Sequence, residues 1–319
     1  MNRIERMKAV FEKKTPDHVP AGFWFHYPAS LTAKEMADAH VALNRETGMD
    51  IIKVMDDSFG SFITQGITIT KASDWRNITL PGKNCGQYQK MLEVIKEIAS
   101  QTGGEVMIFP TFWSPFKIAS FTYGACGSSD AVFMEHCKED PESVLCGINA
   151  ITAAFEEWVP DYIAAGASGV YYSGQFSEPQ RFSKEQWETL VKPSDLRILN
   201  AVKKQGGYNI IHICGEAEFD FNSSPQWYKG YPGDLFNWAV HHNDLSLEEG
   251  RELFGTAILG GLDNRGVLVN GTPDQVKAEV EAVIARFGKL GFMLGADCTV
   301  PSDVSIANLK AAVEAAAAL

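Results

Sequence analysis

Three residues with metal-ligand chemistry are spaced so that one site can gather them. His212 and Cys214 lie two apart in the run YNIIHICGE, and Cys298 ends the run GFMLGADC. In an extended chain, residues two apart project to the same side, so His212 and Cys214 aim at one point. One imidazole and two thiolates form an N/S2 set. Around a zinc ion this leaves a fourth tetrahedral position for water, a carboxylate or a substrate thiolate, which is the layout of a catalytic rather than a structural zinc. The competing reading is a core histidine and a core cysteine that fall two apart by chance. The position of Cys298 after another predicted strand brings the metal reading level with that one. The other cysteines, at 85, 126, 137 and 146, fall in or beside helical patterns or in a glycine-rich loop and read as structural.

A site gathered from distant segments needs strands that end in one place. Apolar runs at 19–26, 50–55, 105–112, 168–173, 208–213, 235–241, 256–261 and 291–296 alternate with helical patterns at 86–101, 140–165, 183–205, 246–254 and 272–288. A leading helix covers 2–13 and a last one 303–318. Runs that are apolar nearly throughout are those of strands buried on both faces of a parallel sheet, and strand–helix alternation gives βαβ units. Eight such units predict an α/β fold, a (βα)8 TIM barrel with an N-terminal helix, spanning residues 1–319 as one domain. The alternative is an open doubly wound sheet, but no G-x-G-x-x-G fingerprint follows an early strand. Local signals agree: Thr272 is an N-cap before Pro273, Ser183 with Gln186 forms a capping-box pattern, and Gly288 is placed as an αL terminator.

In this barrel, functional residues sit at the C-terminal ends of the strands. Beyond the three ligands, the strand ends hold Trp24 and His26, Asp56 and Asp57, Trp113, Gln175 and Glu178, Glu216, His241 and His242, Asp263, and Asp297. Asp57 is a candidate general acid or substrate partner, with a helix N-cap as the other reading. Glu216 is a candidate fourth ligand or ligand partner, with a solvated loop carboxylate as the other. His241 is placed to meet substrate or orient a ligand. Trp24, His26, Trp113, Gln175 and Asp263 are candidate substrate contacts. Tyr171 and Tyr172 alternate faces, so one of them points inward, and Tyr172 is the candidate. Trp24, Phe25, Tyr27, Phe112, Trp113 and Phe116 would suit an apolar or aromatic substrate.

Composition bounds the function class. The chain of 319 residues carries 28 basic and 40 acidic side chains, a net charge of −12, with 45% apolar residues. Length alone allows two domains. The acidic balance argues against nucleic acid, which needs a basic face, and against an anionic membrane surface. No apolar run approaches the ~20 residues of a membrane span, and the N-terminus lacks the apolar stretch of a signal peptide. A cytoplasmic setting follows, in which the six cysteines serve as thiols or ligands rather than disulfides.

The stretches GASGVYYSGQFSEPQRFSKEQWETLVKP, YNIIHICGE, LGGLDNRGVLVNGTPDQV and GFMLGADCTVPSDVSIANLKAAVEA resemble the uroporphyrinogen decarboxylase superfamily over most of the chain. That superfamily has a cofactor-free decarboxylase branch and a branch of corrinoid-dependent zinc methyltransferases, including methylcobamide:coenzyme M methyltransferases and O-demethylase components. The decarboxylase branch carries an arginine-rich segment after its first strand. Here that region reads AGFWFHYPAS, and the nearest cations, Lys53, Lys117, Arg181 and Arg265, form no cluster in sequence. The methyltransferase branch is marked by His-x-Cys, a long gap and Cys, which His212, Cys214 and Cys298 match. The last-ligand turn, Ala-Asp-Cys-Thr, departs from the Gly-Cys-Gly type frequent in coenzyme M enzymes.

The resemblance implies a zinc-dependent methyltransferase that moves a methyl group between a corrinoid protein and a small thiol or methyl ether. The alternatives are a decarboxylase of haem biosynthesis or a non-catalytic barrel that binds a small ligand. Asp38-Ala39-His40 is the nearest approach to the D-x-H-x-x-G motif of corrinoid carriers, but Leu43 replaces the glycine. The corrinoid is therefore expected from a separate protein.

Overall fold

Seven parallel strands stand side by side, and a short N-terminal segment joins the two outermost. The computed structural model describes residues 1–55, 69–80, 82–124, 130–216 and 221–319, without the side chains of 122–124, 216 and 221. Asp56, Asp57 and Cys126, and the side chain of Glu216, lie outside the described residues. In chain order the elements are α1 (Arg3–Phe11), α2 (Ala33–Thr47), β1 (Ile51–Val54), α3 (Gly86–Thr102), β2 (Met107–Trp113), α4 (Pro115–Gly124), α5 (Asp130–Glu139), α6 (Pro141–Ala164), β3 (Gly169–Gly174), α7 (Lys184–Leu190), α8 (Lys192–Lys204), β4 (Tyr208–Ile213), the short β5 (Gly215–Glu216) and β6 (Phe221–Asn222), β7 (Leu235–Trp238), α9 (Leu247–Phe254), β8 (Ala257–Leu262), α10 (Val267–Asn270), α11 (Pro273–Phe287), β9 (Phe292–Ala296) and α12 (Ile306–Ala318). The main sheet runs β1-β2-β3-β4-β7-β8-β9, while β5 and β6 pair antiparallel beside it.

The first predicted strand is reduced to a single bridge, Ala21 to Leu294. Leu294 N–H donates to the Pro20 carbonyl at 2.8 Å and Gly22 N–H to the Leu294 carbonyl at 3.0 Å, while Asp50 N–H donates to the Ala21 carbonyl at 3.0 Å. The segment thus links β9 to the start of β1, and the fold is a TIM barrel. Its strand character is short because Pro20 has no N–H to give. Gly22 packs closely inside: a Cβ there would lie 2.6 Å from Met293 Cε and 3.0 Å from Ile51 Cγ1, so those side chains would have to shift.

Strand alternation sorts the side chains into two layers. Ile51, Met107, Phe109, Tyr171, Ile210, Leu235, Leu259 and Met293 fill the barrel interior, and Met7 and Val10 of α1 join them. The alternate residues, among them Ile52, Ile108, Tyr172, Ile211, Phe236 and Ile258, pack outward against the helices. Phe11 stacks on Tyr208, at the start of β4, with ring centroids 4.4 Å apart. The N-terminal helix is therefore a plug at the end of the barrel where the strands begin.

Local signals were followed closely in places and overridden in others. Ser183–Gln186 and Thr272–Gln275 form complete capping boxes. The single helix expected over 183–205 is two, α7 and α8, divided at Val191 just before Pro193. The run 235–241 stops as a strand at Trp238, because residues after it turn and His242 N–H bonds back to the Ala239 carbonyl. Gly288 has φ +79° but ψ −178°, so it ends α11 without the αL geometry expected of it.

One carboxylate holds α1, the closing segment and β1 together. Asp50 Oδ1 accepts from Arg6 Nη1 at 2.6 Å and Oδ2 from Ala21 N–H at 2.9 Å, with Arg6 Nε also 2.7 Å from Asp17. Both Arg6 and Asp50 are buried. Removing one partner of a buried pair costs more than the pair itself contributes. Arg6→Ala is expected to lower unfolding free energy by about 3 kcal/mol, read from urea denaturation.

A second buried carboxyl lies outside the barrel wall. Asp195 of α8 accepts from Tyr172 Oη at 2.5 Å and Tyr231 Oη at 3.1 Å. Burial pushes its pKa up to about 7 against the pull of the two hydroxyls. In the unfolded chain the same group titrates near about 3.9. The folded state thus prefers the neutral acid, and this contribution is complete below pH about 4 and is lost as pH rises toward 7. Asp195→Asn should flatten that part of the stability profile: its urea midpoint should fall less between pH 4 and pH 7 than the parent's.

Candidate metal centre

His212, on the inward face of β4, meets Cys214 just beyond the same strand and Cys298 just beyond β9. Cys214 Sγ lies 4.0 Å from Cys298 Sγ, and Cys298 Sγ lies 3.4 Å from His212 Nε2. All three are buried. A tetrahedral zinc with Zn–S of about 2.3 Å and Zn–N of about 2.0–2.1 Å sets ligand atoms roughly 3.8 Å (S to S) and 3.5 Å (S to N) apart. The two distances to Cys298 match that spacing, and the Cys214 and His212 ligand atoms lie within 4.8 Å of each other, so the residues present fit the ion.

The imidazole is oriented by Asn237, on the inward face of β7. Asn237 Nδ2 donates to the carbonyls of Leu259 and Ala296, each at 3.0 Å. With both amide protons used, Oδ1 faces His212 Nδ1 at 2.5 Å and also accepts from Tyr171 Oη at 3.3 Å. The oxygen can only accept, so His212 carries its proton on Nδ1 and presents the Nε2 lone pair toward the cysteines. Without a cation, the Cys214 thiol beside it, together with burial, pushes the Cys298 thiol up, while His212 pulls the other way. A bound divalent cation reverses that balance and favours thiolates.

Beneath the donors the barrel is aromatic. Trp24 and Tyr171 sit with ring centroids 4.9 Å apart, and each is 6.0 Å from the His212 ring. The buried ammonium of Lys53 stands over both rings, 4.7 Å from Trp24 and 4.4 Å from Tyr171. Trp24 Nε1 also donates to Thr299 Oγ1, next to Cys298, at 3.2 Å. The two rings thus separate the imidazole from the Lys53 ammonium, which makes cation–π contacts with both.

The other expected contacts are placed unevenly. Trp24 is at the centre as described. Tyr172 is not: it faces the helices and is held by Asp195, and Tyr171 takes the inward position. The reason is the alternation itself, because β3 aligns Tyr171 with Ile210 and Tyr172 with Ile211, whose faces the barrel fixes. His26 is exposed, Trp113 is half-buried at the end of β2 with its ring edge-on to Phe121, and Gln175 is buried with its carbonyl 3.4 Å from Tyr228 Oη. Asp263 is half-buried and accepts from Arg265 N–H at 2.8 Å. His241 is held by Asp297, whose carboxylate lies 2.9 Å from Nδ1 and raises the imidazole's pKa.

Sequence reasoning missed Asn237, Tyr171 and the position of Lys53. A signal existed for two of them: Asn237 and Lys53 are polar residues inside apolar runs, at the alternate positions that face a barrel's interior. Glu178 was noted only as a strand-end residue. It is almost fully buried, neither carboxylate oxygen has a hydrogen-bond partner among the described residues, and burial raises its pKa.

The fold and the cluster define a TIM-barrel protein with a candidate metal centre at the C-terminal mouth of its strands. Within that class, the chain belongs to the uroporphyrinogen decarboxylase (URO-D) family, whose profile matches residues 29–319. It is 25% identical over 254 residues to a methylated-thiol–coenzyme M methyltransferase of Methanosarcina mazei, covering 75% of this chain and 61% of that protein. The chain thus spans about three-fifths of that relative's length. It is 24% identical to the methylcobamide:CoM methyltransferase MtbA of Methanosarcina acetivorans, over 98% of this chain and 93% of that one. Among solved structures, a methyltransferase from Methanosarcina mazei matches with a TM-score of 0.81 at 18% identity, covering 99% of this chain and 98% of that one. A B12-independent methionine synthase from Shewanella sp. W3-18-1 matches with a TM-score of 0.61 at 14% identity, covering 94% and 95%. These two likenesses speak to the fold.

The role given to Asn237 is testable. Asn237→Ala frees the His212 tautomer, and loss of such a ligand partner typically costs 10–100-fold in metal affinity. Competition with a chromophoric chelator should show zinc affinity lowered by about that factor, with near-parental circular dichroism.

Proposed function

We propose that this chain is a zinc-dependent methyltransferase that moves a methyl group between a corrinoid protein and a small thiol or methyl ether. The observation that carries the reading is the N/S2 donor set at the barrel mouth, pre-spaced for zinc and one ligand short of a closed tetrahedron. His212, Cys214 and Cys298 would hold the ion. Zinc bound there supplies the positive charge that keeps a thiol substrate ionised, or that polarises the oxygen of a methyl ether. The curated relatives are named for coenzyme M, and that favours a thiol as the acceptor.

The chain's own residues prepare the substrate position. Asn237 keeps the proton on Nδ1 of His212, so Nε2 stays a donor. Trp24 and Tyr171 wall off water below, and the Lys53 ammonium favours an anionic sulfur over a neutral one. The corrinoid would come from a partner in a cytoplasmic, reducing setting. The segment Asp38-Ala39-His40 does not supply it, because it lies in α2, where His40 Nδ1 bonds the Met36 carbonyl and Nε2 accepts from Met55 N–H.

A decarboxylase acting on a substrate with many carboxylates needs a cluster of available cations. Lys117 and Arg181 both engage Asp130, at 3.6 and 2.7 Å, and Arg181 also faces Glu178 at 3.6 Å. This arrangement favours methyl transfer over decarboxylation.

Zinc-loaded protein should bleach the cobalt–carbon absorbance of methylcobalamin when a small thiol such as 2-mercaptoethanesulfonate is added. Cys298→Ser should lower zinc from one per chain toward none and cut this rate by about 100-fold or more. A rate unchanged by Cys298→Ser, or turnover of uroporphyrinogen by the chelator-treated protein, would overturn the reading.

A further inference from the structure

We propose that the loops after β7, β8 and β9 form a second divalent-cation site on His242, Asp263 and Asp297, one suited to a harder ion than the thiolate set. These three residues bring one ligand atom each to within 4.8 Å of one another. An imidazole with two carboxylates and no sulfur is a donor set for ions of the Mn²⁺ kind.

The independent observation is Asp297. It is fully buried. Its Oδ2 accepts from both the N–H and Nδ1 of His241, each at 2.9 Å. Its Oδ1 is sealed from solvent and has no hydrogen-bond partner among the described residues. A buried carboxylate oxygen left without a partner costs more than a neutral one, and a cation held by Oδ1 would remove that cost.

The surroundings are prepared in the same sense. Asp263 is fixed through Oδ1 by the Arg265 N–H at 2.8 Å, and a Cβ at Gly266 would come within 3.1 Å of its other oxygen, so a glycine there keeps that oxygen unobstructed. His242 is exposed, and its carbonyl is anchored by Asn222 Nδ2 at 2.7 Å. Glu279 of α11 adds a third carboxyl close enough to feel both His241 and Asp263, and its Oε2 is also buried without a partner among the described residues. Asp297, with Asp263 and Glu279, raises the basicity of His241, while burial raises the pKa of Glu279 itself; a divalent ion held here would favour the charged carboxylates. The exposed side of His242 leaves the open coordination positions toward solvent.

The test is a Mn²⁺ titration of zinc-replete protein, with free Mn²⁺ read from its paramagnetic resonance signal. One Mn²⁺ per chain should bind. Asp263→Asn, at a half-buried position, and His242→Ala, at an exposed one, should each weaken that binding by about tenfold or more, with thermal midpoints near the parent's. Cys214→Ser should leave it unchanged while removing zinc, which separates this site from the thiolate set. Absence of binding at millimolar Mn²⁺, binding that survives both loop substitutions, or binding lost in Cys214→Ser would each overturn the proposal. The first result would leave a bound water as the partner of Asp297 Oδ1.

Discussion

The side-chain amide of Asn237 donates both of its protons to strand carbonyls, at Leu259 and Ala296, and has only its oxygen left for His212. Turning the amide over would leave two buried carbonyls without donors and set its NH2 against the donor nitrogen of the imidazole. One residue therefore ties three strands together and sets the protonation of a fourth strand's histidine. The direction in which His212 presents Nε2 follows from it. A site assembled from residues far apart in sequence needs this kind of constraint, because nothing local positions His212 against Cys298.

The surroundings work in the same direction. Without a cation, the Cys214 sulfur 4.0 Å away and burial push the Cys298 thiol toward its protonated form. The Lys53 ammonium stands over the Trp24 and Tyr171 rings that flank His212. The plug formed by α1 and the Arg6–Asp50 pair secures the opposite end of the barrel, so the mouth that holds the donors is built on a closed frame. Stability and function are thereby divided between the two ends, as strand polarity in this fold requires.

Much of this was legible in the sequence because parallel strands leave a strong mark. Runs such as YNIIHI and GFMLGA are apolar on both faces, and their ends located His212, Cys214 and Cys298 without any contact information. The first run was harder to read, since Pro20 and Gly22 reduce it to one bridge whose partners are set by closure rather than by propensity. The choice of Tyr172 over Tyr171 failed for a physical reason: alternation says that one of the pair points inward, and only the register with β4 decides which. Asn237 could be seen as a polar residue in a buried strand, but its partners lie on β8 and β9, and no spacing rule reaches them.

X-ray absorption at the zinc edge would test the central claim most directly. The protein purified with zinc should show two sulfur neighbours and one imidazole nitrogen, with a light atom completing the shell, and a third sulfur should enter when a small thiol is added. A zinc shell of oxygen and nitrogen alone, or a folded protein that takes up no zinc, would contradict it.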